Sequence, residues 1–324
     1  MKLFAPGQVL VAILLPLCCL AMAQASPMAT DTARQPLPLD TIAQYVSDGD
    51  LAQAEQQLRT LLDTIPPQQA LQRADVLYRL QFVLRRLQQT DAALQAASTC
   101  LALREAHLPP DDPQIAEALR AEAALLMDRH QYDKAQDRLQ RALGMLDALP
   151  QQDSLAIANT LQSLGMLYLA QQQGEQAADA LGRALVIRQK LQTANHPEIL
   201  YNQARLAMAL RQQKAYERAI ALLEDVLLGE QANNNADSVH AAIVLRELAY
   251  CYHYQRDFAR AEGYYKQALT LFALNLGTHH HAYRITQQAL GWLYISNNND
   301  AAGQALLRVA GGHTPAIAKH PPIP

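Results

Sequence analysis

The stretch from Leu164 to Leu185 reads LGMLYLAQQQGEQAADALGRAL, and its small and large apolar residues stand at regular spacings. Ala177 precedes Leu181 by four residues and Ala184 by seven. Spacings of three and four place side chains on one face of an α-helix. The stretch therefore predicts helices with an apolar face on which small residues have fixed places.

The same pattern recurs along the chain with a period of 42 residues. Six positions at this period carry a small residue: Ala93, Ala135, Ala177, Ala219, Ala261 and Gly303. The positions four residues later carry Ala97, Leu139, Leu181, Leu223, Tyr265 and Leu307. A small residue at a helix crossing lets two backbones approach closely, and the large residues fill the space beside it. Because one helical hairpin cannot bury its apolar face alone, the units are expected to stack on one another.

This pattern resembles the tetratricopeptide repeat. The L-G-x-x-Y and A-x-x-x-F-x-x-A segments of that repeat match Leu164-Gly165, Tyr168, Ala177, Leu181 and Ala184. The 42-residue period is similar to that of the kinesin-light-chain subgroup, whose LG-x-x-HP linker resembles residues 276–282 and 195–198. The resemblance covers about Leu37 to Ala310. It implies an all-α fold, a right-handed α-solenoid of about seven helical hairpins.

Three residues depart from the repeat pattern. Glu122 should be apolar, Gln81 should be small, and a large apolar residue is usual at the position of Gln203. We expect looser packing around these three side chains.

The repeat phase also divides the chain into segments. We predict a signal peptide at 1–23, a linker at 24–36, a repeat domain at 37–310 and a disordered tail at 311–324. The repeat domain begins with a short capping hairpin and continues with six 42-residue units. Residues suited to begin helices recur between the units at Asp112, Ser154, His196, Ser238 and His280. Aspartate and serine are good N-caps, so the first helix of each unit should start there.

The N-terminus has the order of a secretory signal. Lys2 is followed by a nearly unbroken apolar run, Val9 to Met22, and then by small residues around Ala23, with Ala25 as an alternative end. We therefore expect export to the periplasm, with secretion from the cell as the alternative. Cys18 and Cys19 lack the small preceding residue that lipidation requires, and no later segment is apolar enough to be transmembrane.

The charge balance argues against nucleic acid as a partner. The chain has 27 lysine and arginine residues, one of them Lys2 in the signal segment, against 30 aspartates and glutamates. An exported, net acidic chain is unsuited to general nucleic-acid binding. Only Cys100 and Cys251 follow the signal segment. They lie four units apart in a stacked array, so we expect two buried thiols and no disulfide between them.

The sequence contains no arrangement of residues that indicates catalysis. It has no glycine-rich phosphate loop, no G-x-S-x-G and no H-E-x-x-H. Cys251 and His253 point to different faces of a helix. The histidine run 279–281 falls at a unit boundary, which favours a turn over a metal site. We predict a non-enzymatic protein without a cofactor or a metal.

The resemblance places the first helix of each hairpin along a concave groove. The predicted groove residues are Tyr78, Phe82, Arg85, Arg86, Arg120, Met127, Met166, Met208, Arg211, Arg246, Tyr250, His253, Tyr254 and Trp292. Aromatic residues, methionine and arginine are the residues that protein interfaces enrich. The prediction is therefore a locally positive groove that binds a peptide or a partner protein with acidic side chains. The alternative is an envelope assembly or maintenance scaffold that binds its partners through the convex face.

Overall fold

The computed structural model describes residues 39–149 and 154–311, and these residues form helices and turns without a strand. The predicted signal peptide, the linker and residues 312–324 of the tail lie outside this part of the chain. Fourteen helices follow one another within the described residues: α1 Leu39–Asp48, α2 Leu51–Thr64, α3 Ala70–Arg86, α4 Thr90–His107, α5 Pro113–Asp128, α6 Tyr132–Asp147, α7 Leu155–Ala170, α8 Gly174–Leu191, α9 Pro197–Gln212, α10 Tyr216–Ala232, α11 Val239–Tyr254, α12 Phe258–Leu276, α13 His281–Ser296 and α14 Asp300–Val309. The all-α helical repeat array predicted from the 42-residue period is confirmed.

The helices pair into hairpins that pack in chain order. From α3 onward the first helix of a hairpin packs on the second, as α7 does on α8. Each second helix from α2 to α12 packs on the first helix of the next hairpin. First helices also contact one another along the array, in the pairs α5 with α7, α7 with α9 and α9 with α11. From Thr41 onward the array forms one compact unit. None of the described helices combines the length with the hydropathy that crossing a bilayer requires.

The first helices begin where the repeat phase predicts. The side chains of Asp112, Ser154 and Ser238 accept hydrogen bonds from backbone N–H groups of the first turns of α5, α7 and α11. The rings of His196 and His280 do the same through Nδ1, at 3.2 Å from the nitrogens two residues later. His280, the middle residue of the triple histidine, is therefore a helix cap.

Each first helix from α3 to α13 is followed, two residues after its end, by a residue with left-handed backbone conformation. These residues lie 42 apart and have φ between 56° and 63°: Gln88, His130, Gln172, Lys214, Arg256 and Asn298. The N–H of the next residue bonds to the carbonyl five residues before it, as Gln173 does to Tyr168 at 2.8 Å. This bond defines the Schellman motif, in which the left-handed position usually holds glycine. In the described turns between paired helices of the six regular hairpins, no glycine occupies it.

The small residues of the repeat lie at close helix contacts. A Cβ atom built on Gly165 in α7 would lie 2.4 Å from Cγ of Leu181 in α8, so a larger residue at 165 must displace Leu181. In the α3–α4 hairpin the sizes are exchanged, because Gln81 stands at the position of Gly165 and Ala97 at that of Leu181. Both are buried. A large residue on one helix is thus matched by a small one on its partner.

The expected looseness at Glu122 is not observed. Its carboxylate is buried and accepts hydrogen bonds from Nε of Arg138 at 2.6 Å and from Oγ of Ser98 at 2.7 Å. The buried charge is therefore paired and hydrogen-bonded, which is the condition for placing it in a core. Gln203 is half-buried.

Candidate functional site

All 14 predicted groove residues lie on first helices. We call the exposed sides of α3, α5, α7, α9, α11 and α13 the inner face. The burial of the predicted residues on this face differs strongly between the two halves of the array, and the difference changes what the face can bind.

In the second half, four predicted side chains are buried in the packing. Arg211, Tyr250, His253 and Trp292 are each less than one-tenth exposed. Nε of Arg211 lies 3.0 Å from Oε2 of the buried Glu247, and its guanidinium lies over the ring of Tyr250 at 5.1 Å. These residues join neighbouring hairpins and do not present free surface.

The positive charge predicted for this half is partly offset by Glu247. Its second oxygen lies 3.5 Å from Nη2 of Arg246, so one buried carboxylate faces two of the predicted arginines. Arg246 also lies over the ring of Phe272 at 5.7 Å. Tyr254 is half-buried and stacks on Tyr216 at 5.8 Å. Two arginines against one carboxylate leave a net positive charge here, so the positive face stays a prediction for α9 and α11. Glu247 lies outside the positions from which that face was deduced.

The three predicted methionines lie between the core and the surface. Met127, Met166 and Met208 are half-buried and pack against apolar clusters formed by their own and neighbouring hairpins. Sδ of Met208 accepts a hydrogen bond from Arg205 at 3.3 Å. Part of each methionine side chain packs into the core, and the rest adds apolar surface beside the inner face.

The first half keeps aromatic side chains at the surface. Phe82 is 40% exposed, and its ring meets that of Tyr78 edge to face at 5.0 Å. Burial, followed by the nearby negative charge of Glu117, raises the pKa of the Tyr78 hydroxyl well above its usual range. Tyr78 is therefore a neutral hydrogen-bond donor at physiological pH, and it also lies under the guanidinium of Arg104 at 4.8 Å.

Two arginines of α3 are held at the end of that helix. Arg85 binds Asp128 of α5 through two parallel bonds of 2.5 and 2.9 Å. The exposed Arg86 donates to the carbonyl of Val46 at 3.2 Å. With Phe82 these residues border an open cleft of about 550 Å³. The cleft is cationic on the Arg86 side, and the charge of Arg85 is balanced.

Arg120 of α5 differs from the other predicted arginines. Within the described residues its guanidinium has no carboxylate within 4.0 Å and no side-chain hydrogen bond. It borders a second cleft, of about 270 Å³, between α5 and α7. The residues that line this cleft are Pro113, Gln114, Ala116, Glu117, Arg120, Leu146, Ala156, Asn159 and Thr160.

Two buried arginines near this cleft were missed by the sequence analysis. Arg104 of α4 donates to the Gln114 carbonyl at 2.8 Å and lies 3.2 Å from the Glu117 carboxylate. Arg188 of α8 donates to Oδ1 of Asn159 at 2.6 Å and lies 3.2 Å from Glu198. Both lie near the ends of second helices and are 84 residues apart, which is twice the repeat period. The 42-residue period was therefore the signal that could have found them.

Neither the cysteines nor the histidines form a reactive cluster. Cys100 and Cys251 are free and buried, as predicted. Burial raises the pKa of the Cys100 thiol to about 11 and that of Cys251 to about 12, which keeps both protonated at physiological pH. Among the residues that the structure describes, no group of three His, Cys, Asp or Glu side chains is placed to hold a metal ion.

Comparisons with known proteins agree with this architecture. Residues 156–227 and 240–310 match the tetratricopeptide repeat family. BtubC from P. vanneervenii is 20% identical to this chain, with a TM-score of 0.56 over 73% of this chain and 97% of that one. The nearly identical TPR-like repeats of a kinesin light-chain protein from Podospora anserina are 20% identical, with a TM-score of 0.53 over 63% and 96%.

A third similar structure is that of a Rap protein complexed with competence and sporulation factor. It is 16% identical to this chain, with a TM-score of 0.61 over 84% of this chain and 76% of that one. No curated protein matches the sequence. At these identities the structural likenesses concern the fold alone. They show an all-α helical repeat array, in which residues 156–227 and 240–310, within α7–α10 and α11–α14, match the tetratricopeptide repeat.

Proposed function

We propose that this protein is an exported, non-enzymatic interaction module that binds an acidic segment of a peptide or partner protein on the inner face of α3, α5 and α7. The observation that carries this proposal is Arg120, a half-buried guanidinium without an ion-pair partner among the described residues. Charge-assisted hydrogen bonds from arginine to carboxylate are among the strongest polar contacts in proteins. An acidic side chain of a bound segment would give the Arg120 guanidinium an ion-pair partner.

The neighbouring residues support the same ligand chemistry. Phe82 offers exposed aromatic surface and Arg86 an exposed positive charge at the end of the same helix. Aromatic and arginine side chains of this kind dominate the binding energy of protein interfaces. The proposal therefore places binding on the first half of the array, where these groups remain accessible, and not along the whole inner face.

Export rests on the N-terminal sequence. The positive start, the apolar run and the small residues before Ala25 have the composition that signal peptidases recognise. A fusion of residues 1–30 to a reporter that is active only outside the cytoplasm tests this part. An inactive reporter would contradict it.

A second candidate is binding through the second helices. Val186 in α8 and Leu228 in α10 are 53% and 65% exposed and occupy the same position of successive units. Exposed aliphatic residues at one repeat position form a row on the face opposite to the inner face. A partner bound there would be insensitive to changes at Phe82, Arg86 and Arg120.

The experiment compares two acetylated and amidated octapeptides of alanine and leucine, each with one phenylalanine. One carries two glutamates and the other two lysines. We expect the glutamate peptide to bind the chain lacking residues 1–23 more tightly by calorimetry, and its affinity to fall with added salt, because exposed charges are screened over about 8 Å at physiological ionic strength. Trp292 is buried in α13, so its fluorescence is not used as the signal.

The matched variants are Arg86→Glu on the inner face and Arg183→Glu on α8. Both arginines are exposed, so neither change should alter stability by more than about 0.5 kcal/mol. Arg86→Glu should weaken binding of the glutamate peptide, and Arg183→Glu should leave that binding unchanged. Changing Arg85 as well would break its bond to Asp128, so the single change is the cleaner test. Equal binding of both peptides, or none, would refute the proposed function.

A further inference from the structure

One buried position near the end of each second helix fills the gap between consecutive first helices. Residues at this position lie 42 apart, and all five are buried: Arg104, Leu146, Arg188, Glu230 and Phe272. Their chemistry changes from cation to alkyl to cation to anion to aromatic ring. We call this series the gap position.

The two arginines of the gap position bind both first helices beside them. Arg104 reaches Asp75 in α3 at 3.4 Å and Glu117 in α5 at 3.2 Å. Arg188 reaches Asn159 in α7 at 2.6 Å and Glu198 in α9 at 3.2 Å. Each guanidinium therefore occupies its gap with hydrogen bonds to both sides.

Between α5 and α7 the gap position holds Leu146, which cannot make such bonds. Here the cleft of about 270 Å³ stays open, with the Leu146 side chain in its wall. Its polar lining comes from Glu117 and Arg120 in α5 and from Asn159 and Thr160 in α7. The gap position that holds leucine, between two positions that hold arginine, thus coincides with an open cleft.

This cleft keeps two hydrogen-bond donors available, on Asn159 and Arg120, beside the acceptor oxygens of Glu117 and Thr160. Glu117 already binds Arg104, and Oδ1 of Asn159 already accepts from Arg188, which leaves the Asn159 amide NH₂. The Thr160 hydroxyl donates to the Ala156 carbonyl at 2.9 Å. Arg120 adds a guanidinium without an ion pair in the described part of the chain. A ligand group that accepts hydrogen bonds and carries negative charge complements the two donors, Arg120 and Asn159.

We infer that the cleft between α5 and α7 is a subsite for one carboxylate of the bound segment, held by the guanidinium of Arg120 and the amide of Asn159 over the apolar wall of Leu146. This inference rests on the proposed function and assigns it a specific place. The carboxylate belongs either to an aspartate or glutamate side chain or to the C-terminus of the segment. Both sources offer the same two oxygens to the same donors.

Leu146→Arg tests the inference by restoring the residue found in the neighbouring gaps. Glu117 and Asn159 lie on the two first helices beside position 146, as the partners of Arg104 and Arg188 do in their own gaps. An arginine at 146 should therefore bind both residues and fill the cleft. We expect the glutamate peptide to bind at least tenfold more weakly to this variant, since a lost hydrogen bond to a charged group corresponds to a tenfold change or more. The control Leu146→Met keeps volume and polarity and should bind as the original chain does.

A second variant tests the inference independently, in case Leu146→Arg does not fold. Arg120→Gln removes the charge from a half-exposed position and should lower the affinity for the glutamate peptide by at least tenfold. Arg120→Lys keeps the charge and should lower that affinity less. Circular dichroism melting of all variants shows whether each is folded. A peptide with glutamines in place of the glutamates should bind the original chain weakly, and its form with a free C-terminal carboxylate shows whether that source also enters the cleft.

The outcomes separate this inference from the proposed function. If the glutamate peptide binds and responds to Arg86→Glu, but folded Leu146→Arg and Arg120→Gln bind it unchanged, the inference is overturned and the proposed function stands. If the glutamate peptide does not bind at all, both are overturned. Loss of binding in both folded variants, with Leu146→Met unaffected, supports the inference.

Discussion

Replacing Gln88 by glycine should stabilise the array, although glycine usually destabilises a helical protein. Gln88 has φ of 61° in the turn between α3 and α4, and its side chain is exposed. A residue with a Cβ atom is disfavoured in this left-handed conformation by roughly 1–2 kcal/mol. Glycine avoids this strain but loses about 0.5–1 kcal/mol more to conformational entropy on folding. The difference predicts a gain of about 0.5–1 kcal/mol.

The chain offers a matched control in the same hairpin. Gln95 is an exposed glutamine inside α4, where the backbone is helical, so Gln95→Gly brings the entropic loss without relief of strain. It should destabilise the protein by roughly 0.5 kcal/mol. The two substitutions are chemically identical and should move the free energy of unfolding in opposite directions.

The effect should grow when all six equivalent turns are changed together. The turns are in different hairpins, so their contributions should be nearly additive. Asn298 should contribute least, because asparagine tolerates the left-handed region better than the other residues. The sum, about 3–5 kcal/mol, corresponds to a rise in the melting temperature of roughly 10 °C. Thermal melting followed by circular dichroism measures it, and a melting temperature that falls in Gln88→Gly would refute the reasoning.

Two further predictions concern the core of the array. Ala177→Leu should destabilise the protein by roughly 1–3 kcal/mol, because Ala177 is fully buried between leucines. Gln171→Leu, at a half-exposed helix end, should have little effect. Equal shifts of the two melting midpoints would contradict the assigned repeat phase. Cys100 and Cys251 should resist a thiol reagent in the native chain lacking residues 1–23, because they are buried and burial raises their pKa values, and both should react after denaturation without reductant. A denatured protein in which neither reacts would reveal a disulfide.

The period of 42 residues was enough to predict the helices and their contacts, because those depend on local spacing. The caps at Asp112 and Ser238 follow from the same phase, since an N-cap is determined by a single residue at a helix start. The exchange of sizes at Gln81 and Ala97 shows the limit of a residue-by-residue comparison. Gln81 departs from the pattern when taken alone, but the pair of positions keeps one large and one small residue.

The burial of the inner-face residues could not be predicted from their own positions. Arg211 was placed on the correct helix, but its exposure depends on Glu247, which lies in the next first helix and 36 residues away in the chain. Among the described residues no carboxylate lies within 4.0 Å of the Arg120 guanidinium, and Arg120 lines a cleft at the gap that holds Leu146. Whether a first-helix side chain is free thus depends on residues of neighbouring helices that the groove pattern does not include.

The gap position explains how one repeat unit can acquire a binding function without loss of the fold. The residue is buried in all five units, yet it is arginine, leucine, glutamate or phenylalanine. Because each unit of a stacked array contacts only its neighbours, a change at one gap is compensated locally, by Glu198 beside Arg188 or by His240, whose Nδ1 lies 2.6 Å from Glu230. A gap that lacks such compensation keeps its polar groups available to a ligand. Under the proposed function, we therefore expect specificity to depend less on the exposed residues of the inner face than on which gap the second helices leave open.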